Sequence, residues 1–226
     1  MKLSETTLPP KPALVSDIRF PRIRITISYY IAFIGLGLTV ASLGPTLPAL
    51  AEHTRAQLRE ISFLFTARAL GYMFGSLLGG QLYDRMPGNP VMGGMLIMLA
   101  LGLVLVPIIP LLWLLAVILL AIGVVEGVID VGGNTLLVWL HRDKVGPFMN
   151  ALHFFFGLGA FLSPIIIAQA LRTSGDITWG YWALAVLVFP VSMWLFNLPS
   201  PKAQDISQDN PVKPANLLLV SLLAFL

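Results

Sequence analysis

Gly123-Val124-Val125-Glu126-Gly127-Val128-Ile129-Asp130-Val131-Gly132-Gly133-Asn134 sets two carboxylates and an amide at four-residue spacing inside a long apolar run. A helix turns once per about 3.6 residues, so Glu126, Asp130 and Asn134 share one stripe. Working outward, the run extends from Val91 to Leu140, roughly 75 Å as a single helix and more than twice the hydrocarbon thickness of a bilayer. It must reverse, and Pro107 and Pro110 mark where. Charged groups at bilayer depth cost at least about 2.5–3.5 kcal/mol each, so they persist where a protein-lined or watery path needs them. The stripe points to a protein that moves something across a membrane.

Composition agrees. Of 226 residues, 57% are hydrophobic and 11% charged, against about 25% charged in a soluble domain. Apolar stretches at about 25–50, 60–82, 91–111, 113–139, 147–171 and 178–198 each approach the roughly 20 residues of a spanning helix. The expected fold is an all-α membrane protein. A polar tail (1–24) precedes a six-helix bundle (25–198), followed by a Pro- and Asp-containing linker (199–214) and the start of a seventh span (215–226). That last segment, about twelve residues, is too short to cross alone. The expectation is an incomplete record, the alternative a truncated or half-size membrane protein that does not transport.

Lys2, Lys11, Arg19, Arg22, Arg24, Arg85, Arg142, Lys144, Lys202 and Lys213 fall on one side of these spans, and Arg55, Arg59 and Arg172 on the other. Basic residues accumulate in cytosolic loops, which predicts a multi-pass protein of the cell (plasma or inner) membrane with a cytosolic N-terminus. The net charge of +3 lies in these loops and implies no nucleic-acid partner. Absence of cysteine removes disulfides and thiolate metal sites, and no His, Asp or Glu set has metal-ligand spacing. No cofactor is expected beyond a coupling proton or sodium ion.

Arg68 is the basic residue well inside a span, and it either snorkels to the interface or meets a buried counter-charge, for which Glu126 and Asp130 are the candidates. An arginine facing a protonatable acid is a coupling switch that loosens when the acid gains a proton. A buried, protonated acid hydrogen-bonded across helices is the structural alternative. Asn134, Asn150 and His153 extend polar character along the fourth and fifth spans, and amides and imidazoles both donate to and accept from sugar hydroxyls. Helix-to-helix hydrogen bonding is their structural reading. Gly71, Gly75 and Gly79 on the second span, and Gly157, Gly159, Ala160 and Ser163 on the fifth, read as close-packing faces. Trp113, Trp139, Trp179 and Trp182 near span ends read as interface anchors. An intramembrane protease is disfavoured, because both acids sit on one helix whereas a dyad brings one from each of two segments.

Gly80-Gln81-Leu82-Tyr83-Asp84-Arg85 resembles the loop signature of the major facilitator superfamily, Gly-x-x-x-Asp-Arg-x-Gly-Arg-Lys. Gly88 is displaced by one position, and Asn89-Pro90 stand where basic residues are usual. Arg68-Ala69-Leu70-Gly71-Tyr72, Gly75 to Gly80, Asp130 to Asn134, Ala151-Leu152-His153-Phe154 and Gly159 to Leu162 are similar to the sodium-dependent glucose transporter branch related to fucose permease. The resemblance implies the N-terminal half of a twelve-helix secondary transporter, not an enzyme. It also implies symport of a hexose with protons or sodium, and a second six-helix bundle from a C-terminal half or another chain. Fucose permease is similar in placing an acid on its fourth span, the position Glu126 would occupy; Asp130, Arg68, Asn134, His153 and Asn150 join it as substrate-binding or ion-coupling candidates on their own placement, and the loop signature implies a conformational role for Gly80, Asp84 and Arg85. The acid that fucose permease carries on its first span has no counterpart; Thr39, Ser42 and Thr46 are the polar residues there.

Overall fold

The computed structural model describes residues 16–202, so the first fifteen residues, most of the expected linker and the seventh segment lie outside the described residues. Every regular element within 16–202 is helical: α1 (Ser16–Val40), α2 (Leu43–Thr54), α3 (Leu58–Ile61), α4 (Phe63–Arg85), α5 (Gly88–Leu105), α6 (Leu112–His141), α7 (Val145–Ser174) and α8 (Thr178–Phe196). Five stretches are long and apolar enough to cross a membrane: Arg22–Val40, Arg59–Arg85, Gly88–Leu105, Leu112–Ser174 and Thr178–Phe196. The fourth contains both α6 and α7, joined through a short 3-10 turn. The expected reversal near Pro107 and Pro110 is the turn between α5 and α6.

The first span is not continuous over 25–50 as the hydropathy suggested. It stops at Val40 and restarts at Leu43. Pro45 explains the break: it has no N–H to offer the Ala41 carbonyl four residues back, and its ring crowds that oxygen. The chain tightens instead, with the Ser42 N–H donating to Thr39 O at 3.1 Å. Thr39, Ser42 and Thr46 are all buried, and their hydroxyls donate to backbone carbonyls at this break. Thr46 also reaches the Tyr181 hydroxyl of α8 at 2.8 Å.

Three helix pairs dominate the packing, α4 with α6, α1 with α7 and α5 with α8. Small residues make the first two possible. A Cβ on Gly71 would collide with the Leu120 carbonyl, and one on Gly123 with the Arg68 carbonyl, so each helix supplies a gap for the other's backbone. Gly37 and Gly159 interlock α1 and α7 in the same way. Apolar side chains also cover the outside: Phe161 is 69% exposed and Val186 70%. That surface suits lipid or another apolar partner and not water.

At the end shared by the start of α5 and the end of α8, Asn89 is fully buried. It accepts from the Tyr29 hydroxyl at 2.6 Å and donates through Nδ2 to the carbonyls of Pro199 at 2.9 Å and Leu198 at 3.3 Å. Its backbone N–H donates to Ser200 Oγ at 3.0 Å. The residue that departs from the superfamily loop pattern thus ties α1, α5 and the exit of α8 together. A lysine or arginine there would bring an unpaired charge into a closed site.

Candidate functional site

A cavity of about 630 Å³ opens between α1, α4, α6 and α7. Its walls are mostly apolar, with Leu36 and Val40 from α1, Phe65 and Ala69 from α4, and Phe156 from α7. Its polar groups are Arg68 and Tyr72 on α4, Glu126 and Asp130 on α6, and His153 on α7. A few convergent polar groups in an apolar wall are the usual make-up of a small-molecule site.

The closely packed α4 and α6 backbones carry Arg68 and Glu126 toward each other at one depth. The guanidinium clasps the carboxylate with two donors: Nε donates to Oε2 at 2.8 Å, and Nη2 donates to Oε1. Glu126 is 1% exposed and Arg68 8%, so snorkelling is excluded and the counter-charge is Glu126. Nη1 donates to the Val40 carbonyl at 3.1 Å. That oxygen is at the end of α1, where Leu43 and Gly44 begin a new helix and leave it without the usual partner. Arg68 therefore binds three elements at once: its own helix, the acid of α6 and the break in α1.

Asp130, one turn from Glu126, is part-exposed and has a different set of partners. The Tyr72 hydroxyl donates to Oδ2 at 2.7 Å. Asn134 Nδ2 donates to the Asp130 backbone carbonyl at 2.8 Å and lies 3.4 Å from Oδ1. Asn134 thus braces Asp130 with the amide that the sequence offered to a solute. No hydrogen bond joins the two acids among the described residues; each is held by its own α4 donor, Arg68 for one and Tyr72 for the other. His153 lines the cavity and meets Phe33 edge-on at a 6.4 Å centroid distance. Asn150 is exposed nearer the α6–α7 turn and does not line the cavity.

Gly80, Asp84 and Arg85 stand apart from the cavity, toward and at the end of α4, with both charged residues exposed. Space beside Gly80 is open, so no contact within the described residues requires a glycine there. No group of three or more His, Cys, Asp or Glu among the described residues has the placement of a metal site. Sequence reasoning did not single out Tyr72 or the Val40 carbonyl. Pro45, which interrupts the helix just beyond Val40, was the available signal for the second; for Tyr72 it was the position at mid-span four residues after Arg68, the same spacing as Glu126 to Asp130.

Comparison with known proteins agrees with this architecture. The chain is 44% identical over 140 residues to sodium-dependent glucose transporter 1 of Homo sapiens, covering 62% of this chain and 27% of that protein. It is 40% identical over 145 residues to sodium-dependent glucose transporter 1A of Mus musculus, covering 64% and 34%. It is 34% identical over 154 residues to major facilitator superfamily domain-containing protein 4A of Pongo abelii, covering 67% and 30%. The chain thus aligns with about a quarter to a third of the length of these relatives. The model of the Major Facilitator Superfamily matches residues 29–226, well over half of the chain. The helical membrane architecture and this match together place the chain in the Major Facilitator Superfamily, a family of membrane transporters and not of enzymes.

Proposed function

We propose that this chain supplies one six-helix half of a secondary active transporter that takes up a monosaccharide or a similar small polar solute, coupled to protons or sodium. The observation that carries the reading is the buried Arg68–Glu126 pair in the wall of a cavity large enough for a small solute. An ion pair at this depth is an expensive way to hold helices together, and its worth lies in being broken and remade. Protonation of Glu126 removes the charge–charge attraction, leaving a hydrogen bond to a neutral carboxyl, and frees Arg68 to adjust its grip on Val40, which links coupling-ion occupancy to the break in α1.

Asp130, oriented by Tyr72 and braced by Asn134, offers its remaining acceptor capacity to solute hydroxyls or to a cation, and His153 faces the same space. Phe65 and Phe156 supply apolar faces for a sugar ring. The names of the glucose-transporter relatives favour a sugar and sodium. A second bundle, on the same polypeptide or another, closes the cavity, and rocking of the two halves exchanges its access. Basic residues gathered at the α1 start and the α4–α5 and α6–α7 turns favour a cytosolic N-terminus in the plasma or inner membrane.

The test is labelled hexose uptake into vesicles carrying the protein with its second bundle, with and without an imposed proton or sodium gradient. Gradient-driven accumulation that Glu126→Gln abolishes while exchange survives is the expected result. Accumulation unchanged in Glu126→Gln removes the acid from the mechanism, and no gradient-driven uptake of any hexose rejects the transport reading.

A further inference from the structure

A second crevice, of about 720 Å³, lies between α4, α5 and α6. It belongs to a different side of the bundle from the solute cavity. On α6 its lining residues Ala121, Val124 and Val128 sit roughly opposite Glu126 and Asp130, at about 100° per residue. A bundle closing over the solute cavity therefore leaves this crevice facing the bilayer.

Its chemistry is sharply divided. Ten of its twelve lining residues are apolar, and the two polar ones, Arg85 and Gln81, are on the last turns of α4 at one end. Arg85 is exposed and has no ion-pair or hydrogen-bond partner among the described residues. Its neighbour Asp84 does not line the crevice, so the end carries a positive charge unopposed within it. From that end the trough follows the α4–α6 seam to Leu120, which packs at the level of Gly71. Fourteen residues of helix from Arg85 to Gly71 rise about 21 Å, enough to take a headgroup contact plus one leaflet's share, about 15 Å, of the roughly 30 Å hydrocarbon core. Met86, Met95 and Met98 form one wall, and flexible thioethers conform to a chain that has no fixed shape.

We infer that this crevice holds an anionic glycerophospholipid, with its phosphate on Arg85 and Gln81 and an acyl chain along the α4–α6 trough. The charge selects the class: a sterol has no anion for the cation, and a zwitterionic lipid's phosphate comes with its own ammonium, which offsets the attraction. A bound lipid wedges α5 against the α4–α6 pair at the end where Asn89 ties α5 to α1 and α8.

The test places the whole chain in phosphatidylcholine vesicles and compares the motionally restricted fraction of spin-labelled phosphatidylglycerol with that of spin-labelled phosphatidylcholine. The anionic label is retained about fivefold more, the factor expected of one basic side chain at an anionic surface. Arg85→Gln brings the ratio to about one, Arg85→Lys preserves it, and Ala121→Trp, which fills the trough, lowers restriction of both labels. Circular dichroism confirms that each variant is folded. A wild-type ratio near one, a ratio indifferent to Arg85→Gln, or restriction of both labels undiminished by Ala121→Trp overturns the inference.

Discussion

Glu126→Gln leaves shape almost unchanged and removes one charge, which isolates what the ion pair does for stability. Glu126 is 1% exposed and receives two donors from a guanidinium that is itself only 8% exposed. In the variant the arginine keeps the Val40 carbonyl at 3.1 Å but has no counter-charge. Breaking one side of a buried pair is destabilising by about 3–5 kcal/mol, because the survivor is left charged and unpaired. Arg68→Met alone strands the carboxylate and gives a loss of similar size. The double variant Arg68→Met with Glu126→Leu removes both charges and fills the space, and comes out between neutral and about 1–4 kcal/mol more stable than the wild type. Unfolding of Glu126→Leu, Arg68→Met and their double variant in micelles of rising dodecyl sulfate fraction, followed by helical circular dichroism, completes the cycle. Losses that simply add in the double variant would mean the two side chains do not act on each other, and a single variant as stable as the wild type would mean the site is not closed to solvent. A stable double variant that no longer accumulates solute would separate function from folding: the pair is then kept for transport.

Three further outcomes follow from the same contacts. Tyr72→Phe removes the donor that orients Asp130, so the solute concentration for half-maximal uptake rises about tenfold while stability moves by less than about 1 kcal/mol; an unchanged half-saturation rules out an oriented Asp130 as a solute ligand. Asn89→Ala strips partners from the buried Tyr29 hydroxyl and from the Leu198 and Pro199 carbonyls, destabilising by about 1–3 kcal/mol and speeding amide exchange around 198–200, and unaltered exchange there contradicts the clamp. Asp176, in the turn between α7 and α8 and outside the apolar stretches, accepts the Thr178 N–H at 3.0 Å, which holds its carboxyl below the ordinary 3.8. A lowered native value stabilises above the unfolded value and is lost as pH falls through the native one, so the stability gap between wild type and Asp176→Asn stays constant near neutrality and closes below about pH 4; a gap that persists at lower pH rejects that contact.

The membrane class, the reversal at Pro107 and Pro110, and the stripe of Glu126, Asp130 and Asn134 were all legible in the chain, because each rests on local rules: apolar length, a missing N–H, and 3.6-residue periodicity. Arg68 was also legible as a residue in need of a partner, since an unpaired charge at that depth is not tolerated. Which acid it meets was not, because Glu126 and Asp130 differ by one turn on one face, and only the glycine interlock of α4 and α6 sets their register. The same holds for the division of labour between acids, one closed by a guanidinium and one held by a tyrosine, and for Asn89, whose partners lie on α1 and beyond α8. Sequence dictates which groups cannot be left alone in lipid, whereas their pairing depends on helix separation and register, quantities fixed only when small residues let particular backbones touch.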